Sequence, residues 1–80
     1  MSSTDPVERV LVDARGLRCP IPVVRAAQAT RDSPPGTLLV VRWTDPAARH
    51  DLPAWARMRG HLVVGTKPDD PGWVTTIRIG

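Results

Sequence analysis

Two prolines one residue apart, Pro20 and Pro22, directly follow the chain's only cysteine, Cys19. Proline has no backbone N–H and its ring crowds the preceding turn, so this pair cannot sit inside a helix. It can sit in a first turn, where the N–H groups have no intrahelical partner. A helix is therefore predicted to start here and to run over Val23 to Arg31. Val23, Ala26, Ala27 and Thr30 line one face, and Arg25, Gln28 and Asp32 another. Ser33-Pro34-Pro35-Gly36 ends it.

The flanking segments read as strands and one more helix. Arg9 to Asp13 is a short strand with apolar residues on both faces. It is followed by a loop, Ala14 to Arg18, that pivots on Gly16. Thr37 to Trp43 is a near-continuous apolar run, which suits a strand flanked on both sides within a sheet. After the turn at Thr44-Asp45-Pro46, a second helix is predicted to start at Asp51 as N-cap, with Pro53 two places on. Leu52, Trp55 and Ala56 form its buried stripe, Arg57 and Arg59 suit its last turn, and Gly60 stops it. His61 to Lys67 is a third strand and Pro68 to Gly72 a loop. Trp73 to Ile79 is a fourth strand, with Trp73, Thr75, Ile77 and Ile79 on one face. The order β-α-β-α-β-β predicts an α/β (α+β) two-layer sandwich: a four-stranded mixed sheet with two helices packed on one face. Its strand-helix-strand units are expected to cross over right-handed.

Eighty residues make one domain, read as a flexible tail over residues 1–8 and a domain over 9–80. A chain this short buries roughly 60% of the surface its unfolded form exposes. Any chemistry is therefore expected at the surface or completed by a partner. With 41% hydrophobic residues but no Phe or Tyr, the core must come from aliphatic side chains and the three tryptophans. One cysteine excludes an internal disulfide framework. No segment approaches the ~20 apolar residues of a membrane span. Met1 to Pro6 shows no basic run leading into an apolar stretch, so the cytoplasm is the expected compartment. The net charge is +3, and all but one of the eleven cationic side chains are arginine. They are scattered from Arg9 to Arg78 without interleaved aromatics, unlike a nucleic-acid binder. Docking onto an acidic protein surface fits the same charge.

Chemistry concentrates at Cys19. A thiol beside a helix N-terminus gains from the aligned peptide dipoles and from free N–H groups. Arg15 and Arg18 precede it. On these grounds the thiol is expected to be reactive, with a pKa below the free value of about 8.5. The plainer reading is a buried, inert apolar residue. Pro22 occupies the place a resolving cysteine would take. His50 and His61 supply neither a positioned base nor, with one cysteine, a metal site. No metal or cofactor is called for. What remains is a thiol that holds a group and passes it on.

The spaced set Asp13-x-x-Gly16-Leu17-x-Cys19-Pro20-x-Pro22, following the strand from Leu11, closely resembles the TusA/SirA-like sulfur-carrier family. The resemblance continues through Pro35-Gly36, Asp45-Pro46-Ala47, Asp51-Leu52-Pro53-x-Trp55 and Gly60-His61, covering nearly the whole chain after residue 8. It implies a two-layer sandwich with the cysteine exposed at the start of the first helix. It also implies a sulfurtransferase-type carrier that takes persulfide sulfur from a cysteine desulfurase or rhodanese-like donor. Acceptor proteins would serve tRNA thiolation, molybdenum-cofactor supply or sulfur oxidation. Cys19 maps onto the persulfide-bearing cysteine, and Asp13, Gly16, Pro20, Pro22 and Asp45 onto the motif around it. Ala27 and Gln28 stand where members often carry basic residues. The expected docking face is Arg15, Arg18, Ile21 and Arg25 on a monomer, with no direct nucleic-acid or membrane contact.

Each neighbour also has a plainer role. Asp13 at a strand end can simply cap loop amides, and Asp45 before Pro46 can simply start a turn. Trp55 reads as core and His61 as a half-exposed strand residue. Two other uses of the same chain stay open: a non-catalytic regulatory or binding module with a structural Cys19, and a redox sensor in which Cys19 oxidises.

Overall fold

The computed structural model describes residues 8–80, so the expected tail lies outside the described residues except for Glu8. Six elements follow in order: β1 (Arg9–Ala14), α1 (Ile21–Ala29), β2 (Leu38–Trp43), α2 (Ala48–Met58), β3 (Leu62–Asp69) and β4 (Gly72–Arg78). They form one sheet of order β1-β2-β4-β3. β1 and β2 are parallel, and β4 runs antiparallel to both β2 and β3. The fold is the mixed-sheet α+β sandwich with the element order read from the sequence.

Side-chain alternation shows which face is covered. Val12 and Ala14 of β1, Leu39, Val41 and Trp43 of β2, and Thr75 and Ile77 of β4 are all buried. They pack with Ala26 of α1 and with Ala48, Leu52, Trp55 and Ala56 of α2. β2 is interior, as its apolar run suggested, yet only one of its faces is covered. Leu11, on the other face of β1, is 77% exposed.

Trp43, at the end of β2, anchors one end of the core. It is fully buried, and its indole N–H donates to Thr75 Oγ1 at 2.8 Å. Its ring stacks on Trp73 with centroids 6.2 Å apart. The Arg49 guanidinium lies 4.5 Å above the Trp73 ring, close enough for a cation–π contact. Three tryptophans thus supply the volume that missing Phe and Tyr would otherwise provide.

The helix boundaries show one correction. α1 starts at Ile21, with Pro20 as N-cap and Pro22 fully buried in the first turn, as the proline pair required. α2 starts at Ala48, a turn earlier than the predicted start at Asp51, and Pro53 lies inside it. The cause is Asp45. Its side chain accepts the Ala47 N–H at 3.1 Å and its carbonyl accepts the Ala48 N–H at 3.0 Å, which seeds a helical turn before Asp51 is reached. Asp51 becomes a first-turn carboxylate, a favoured place for negative charge. At the other end Gly60 takes φ +77°. The His61 N–H donates to Ala56 O at 2.7 Å and the Gly60 N–H to Arg57 O at 3.2 Å, closing the helix in a Schellman turn. The expected Pro68–Gly72 loop is shorter than read: Pro68 and Asp69 belong to β3 and Gly72 to β4, leaving a tight connection at Asp70-Pro71.

Candidate functional site

Because β1 and β2 are parallel, the loops that leave them, β1–α1 and β2–α2, emerge at the same end of the sheet. Two hydrogen bonds stitch these loops together. The Gly16 N–H donates to Thr44 Oγ1 at 2.8 Å, and the Cys19 N–H donates to Asp45 Oδ2 at 2.8 Å. Asp45 therefore seeds α2 with one carboxylate oxygen and holds the cysteine backbone with the other. Gly16 adopts φ +81°, a conformation that side-chain-bearing residues rarely take, so the pivot is a backbone requirement. Asp13 lies outside this stitch. It accepts the Arg15 N–H at 3.2 Å and pairs with the Arg15 guanidinium at 2.7 Å, which holds its carboxyl well below the usual range.

Cys19 lies at this junction, half-buried, one residue before the N-cap of α1. The expectation of an acidic thiol is not met. Burial pushes the Cys19 pKa up to about 11, and the nearby carboxylates of Asp51 and Asp45 add to it. The local structure explains the direction. Pro20 and Pro22 have no N–H to offer, and the Ile21 N–H is already donated to Arg18 O at 2.9 Å. The prolines that fix the start of α1 also remove two of the donors that would stabilise a thiolate there. Nor are the arginines directed at the sulfur: Arg15 is paired with Asp13, and the charge of Arg18 acts on Asp45.

Asp51 should therefore add to the effect of burial on the thiol. Its negative charge favours the neutral form, so Asp51→Asn is expected to lower the Cys19 pKa from about 11. Each unit of that fall multiplies the thiolate present near neutral pH about tenfold. The check is the rate of iodoacetamide alkylation against pH. In the parent chain the rate should keep rising as pH climbs toward about 11, and in the variant it should level off earlier. Superimposable profiles would remove Asp51 from the site.

The structure brings Gly16, Cys19, Pro20, Pro22 and Asp45 into one small region. Arg15, Arg18, Ile21 and Arg25 are all exposed beside it. Sequence reasoning passed over three residues here. Thr44 and Asp51, read from the sequence as a turn residue and a helix cap, come next to the cysteine loop only through tertiary folding. Val24, 42% exposed beside Ile21 at 41%, makes an apolar step on the same face of α1. Its surplus over the buried stripe was the available signal. Among the described residues no cluster of potential ligands could hold a metal ion, and no helix is long and apolar enough to cross a membrane.

A four-stranded sheet with one helical layer, presenting a lone thiol where two stitched loops meet, defines a small thiol protein with room for chemistry only at its surface. The profile of the family Sulfurtransferase TusA matches residues 10–79. The chain is 38% identical over 79 residues to the sulfur carrier protein TusA of Pseudomonas syringae pv. syringae (strain B728a), covering 94% of each chain. It is 48% identical over 59 residues to that of Pseudomonas fluorescens (strain SBW25), covering 74% of this chain and 70% of the relative. Similarity to YrkF of Bacillus subtilis (strain 168), at 37% over 60 residues, takes in 75% of this chain but only 32% of that longer protein. The chain belongs to the TusA family of sulfur carriers.

Proposed function

We propose that the chain carries sulfur as a persulfide on Cys19, taking it from a cysteine desulfurase or rhodanese-like donor and handing it to an acceptor protein. It acts as a monomer in the cytoplasm, in a route such as tRNA thiolation, molybdenum-cofactor supply or sulfur oxidation. The observation that carries this reading is the setting of Cys19. It is a partly accessible thiol at the stitched junction of two loops, in a chain with no second cysteine to discharge a persulfide as a disulfide.

In the loading step the Cys19 thiolate attacks the outer sulfur of the donor's persulfide. A new Sγ–S bond forms and the donor's S–S bond breaks. The donor leaves as a thiolate and takes up the proton that Cys19 gave up, so nothing is oxidised overall. With its pKa pushed up to about 11, the free thiol stays neutral near pH 7 and reacts slowly with stray electrophiles. Loading then waits for a partner that draws off the proton.

Asp45 and Gly16 hold the loop, Pro20 and Pro22 fix its exit into α1, and Asp13 orients Arg15. The docking face is Arg15, Arg18, Ile21 and Arg25, extended by Val24. Charge reversal at Arg18 or Arg25 to Glu should slow loading by a donor about tenfold at low salt through the association rate, with a smaller effect at high salt. Both side chains are exposed, so the unfolding midpoint should hold. Single-turnover loading at two ionic strengths is the check, and equal rates for the parent and both variants would rule this face out.

A further inference from the structure

The sheet has two edges, and they differ. β3 is the edge beside β4, and its course is interrupted by a register shift between Val63 and Gly65 and by Lys67 and Pro68. Bulges, charges and prolines are the usual means of keeping an edge strand from pairing with another chain. β1, the other edge, runs in unbroken register with β2 and contains no proline. Among the described residues no segment pairs with its outer side.

The hydrogen-bond pattern shows which residues of β1 face outward. The Leu38 N–H donates to Glu8 O at 2.9 Å, with Arg9 level with Leu38. Glu8, Val10, Val12 and Ala14 therefore turn their backbone groups to β2. Arg9, Leu11 and Asp13 turn their N–H and C=O groups to the open side. The side chains of the same three lie on the uncovered face of the sheet, opposite the buried Val12 and Ala14. Leu11, at the middle, is the most exposed large apolar side chain of the sheet.

This edge is complementary to itself. Two copies related by a two-fold axis through Leu11 run antiparallel there, with Leu11 against Leu11 and Arg9 against Asp13 at both ends. In that register every facing pair directs its backbone groups at the other chain, so the two residues of each exchange both N–H···O bonds. Moving the axis to Val10 or Val12 sets Arg9 or Asp13 against Leu11 and leaves the charges unmatched. Arg9 is in no ion pair among the described residues. Asp13, though paired with Arg15, keeps a side chain 56% exposed, with room for a second cation.

We propose that β1 is a self-association surface, on which a second copy of this chain adds its own β1 antiparallel, centred on Leu11, to make one sheet continuous through both copies. The contact is narrow, one strand from each copy, so the pair is weak and separates on dilution. The separated chain remains the form that carries sulfur.

Sedimentation equilibrium of the full chain from the micromolar to the millimolar range is the test, with amide NMR shifts followed over the same dilution. The average mass should rise from that of one chain towards that of two. The amides of Arg9, Leu11 and Asp13 should shift with concentration while those of β3 stay still. Leu11→Lys sets like charges face to face at the centre and should abolish association. Arg9→Glu sets a carboxylate against Asp13 twice, by symmetry, and should weaken association at least about tenfold. Both side chains are exposed, and an unchanged urea midpoint would show that each variant still folds. The mass of one chain at every concentration, shifts centred on β3, or association equal in the parent and both variants overturns the proposal.

Discussion

Replacing Trp43 by alanine should remove a large part of this domain's stability at room temperature. Truncating a buried Trp to Ala typically costs about 3–5 kcal/mol, through lost burial and the cavity left behind. A chain of this length has roughly 4–12 kcal/mol of stability in total. Trp43 is a poor site for collapse. Its ring stacks on Trp73, its N–H is tied to Thr75, and Thr75 Oγ1 shares a further bond of 2.9 Å with Thr66. Truncation leaves Thr75 buried with one partner fewer. Trp43 also ends β2 directly before Thr44 and Asp45, the two residues that hold the cysteine loop. Urea unfolding followed by circular dichroism would read the loss. A midpoint within error of the parent would show that the tryptophan layer does not hold this end of the sheet.

Cys19→Ser should abolish sulfur carriage while leaving the fold intact. The change replaces one atom in a half-buried side chain whose backbone N–H keeps its bond to Asp45. Serine offers no sulfur nucleophile, and no other thiol exists in the chain to substitute for it. In a reconstituted relay of donor, carrier and acceptor, transfer through this chain should fall to the level seen with no carrier present. The urea midpoint at neutral pH should stay within about 1 kcal/mol of the parent, as for other small near-isosteric changes. Transfer at an appreciable fraction of the parent rate would mean that sulfur travels by another group.

Much of this molecule is legible in its sequence, because its signals are local. Prolines, glycines and the run Leu38 to Val41 fix element types and order, and the Pro20–Pro22 pair fixes the start of α1 to within a residue or two. Gly60 marks the end of α2 because only a residue tolerant of positive φ closes that turn. What sequence reasoning missed depends on contacts between distant segments. The early start of α2 comes from Asp45 serving two loops at once. The raised pKa of the thiol comes from burial and from Asp51, a residue on another helix.

The most direct measurement is the intact mass of the full chain after incubation with a cysteine desulfurase and cysteine, followed by peptide mapping. The expected result is a gain of one sulfur atom per chain, confined to the peptide that contains Cys19 and removed by dithiothreitol. An unchanged mass, or added sulfur that maps elsewhere or persists in Cys19→Ser, would contradict persulfide carriage on Cys19.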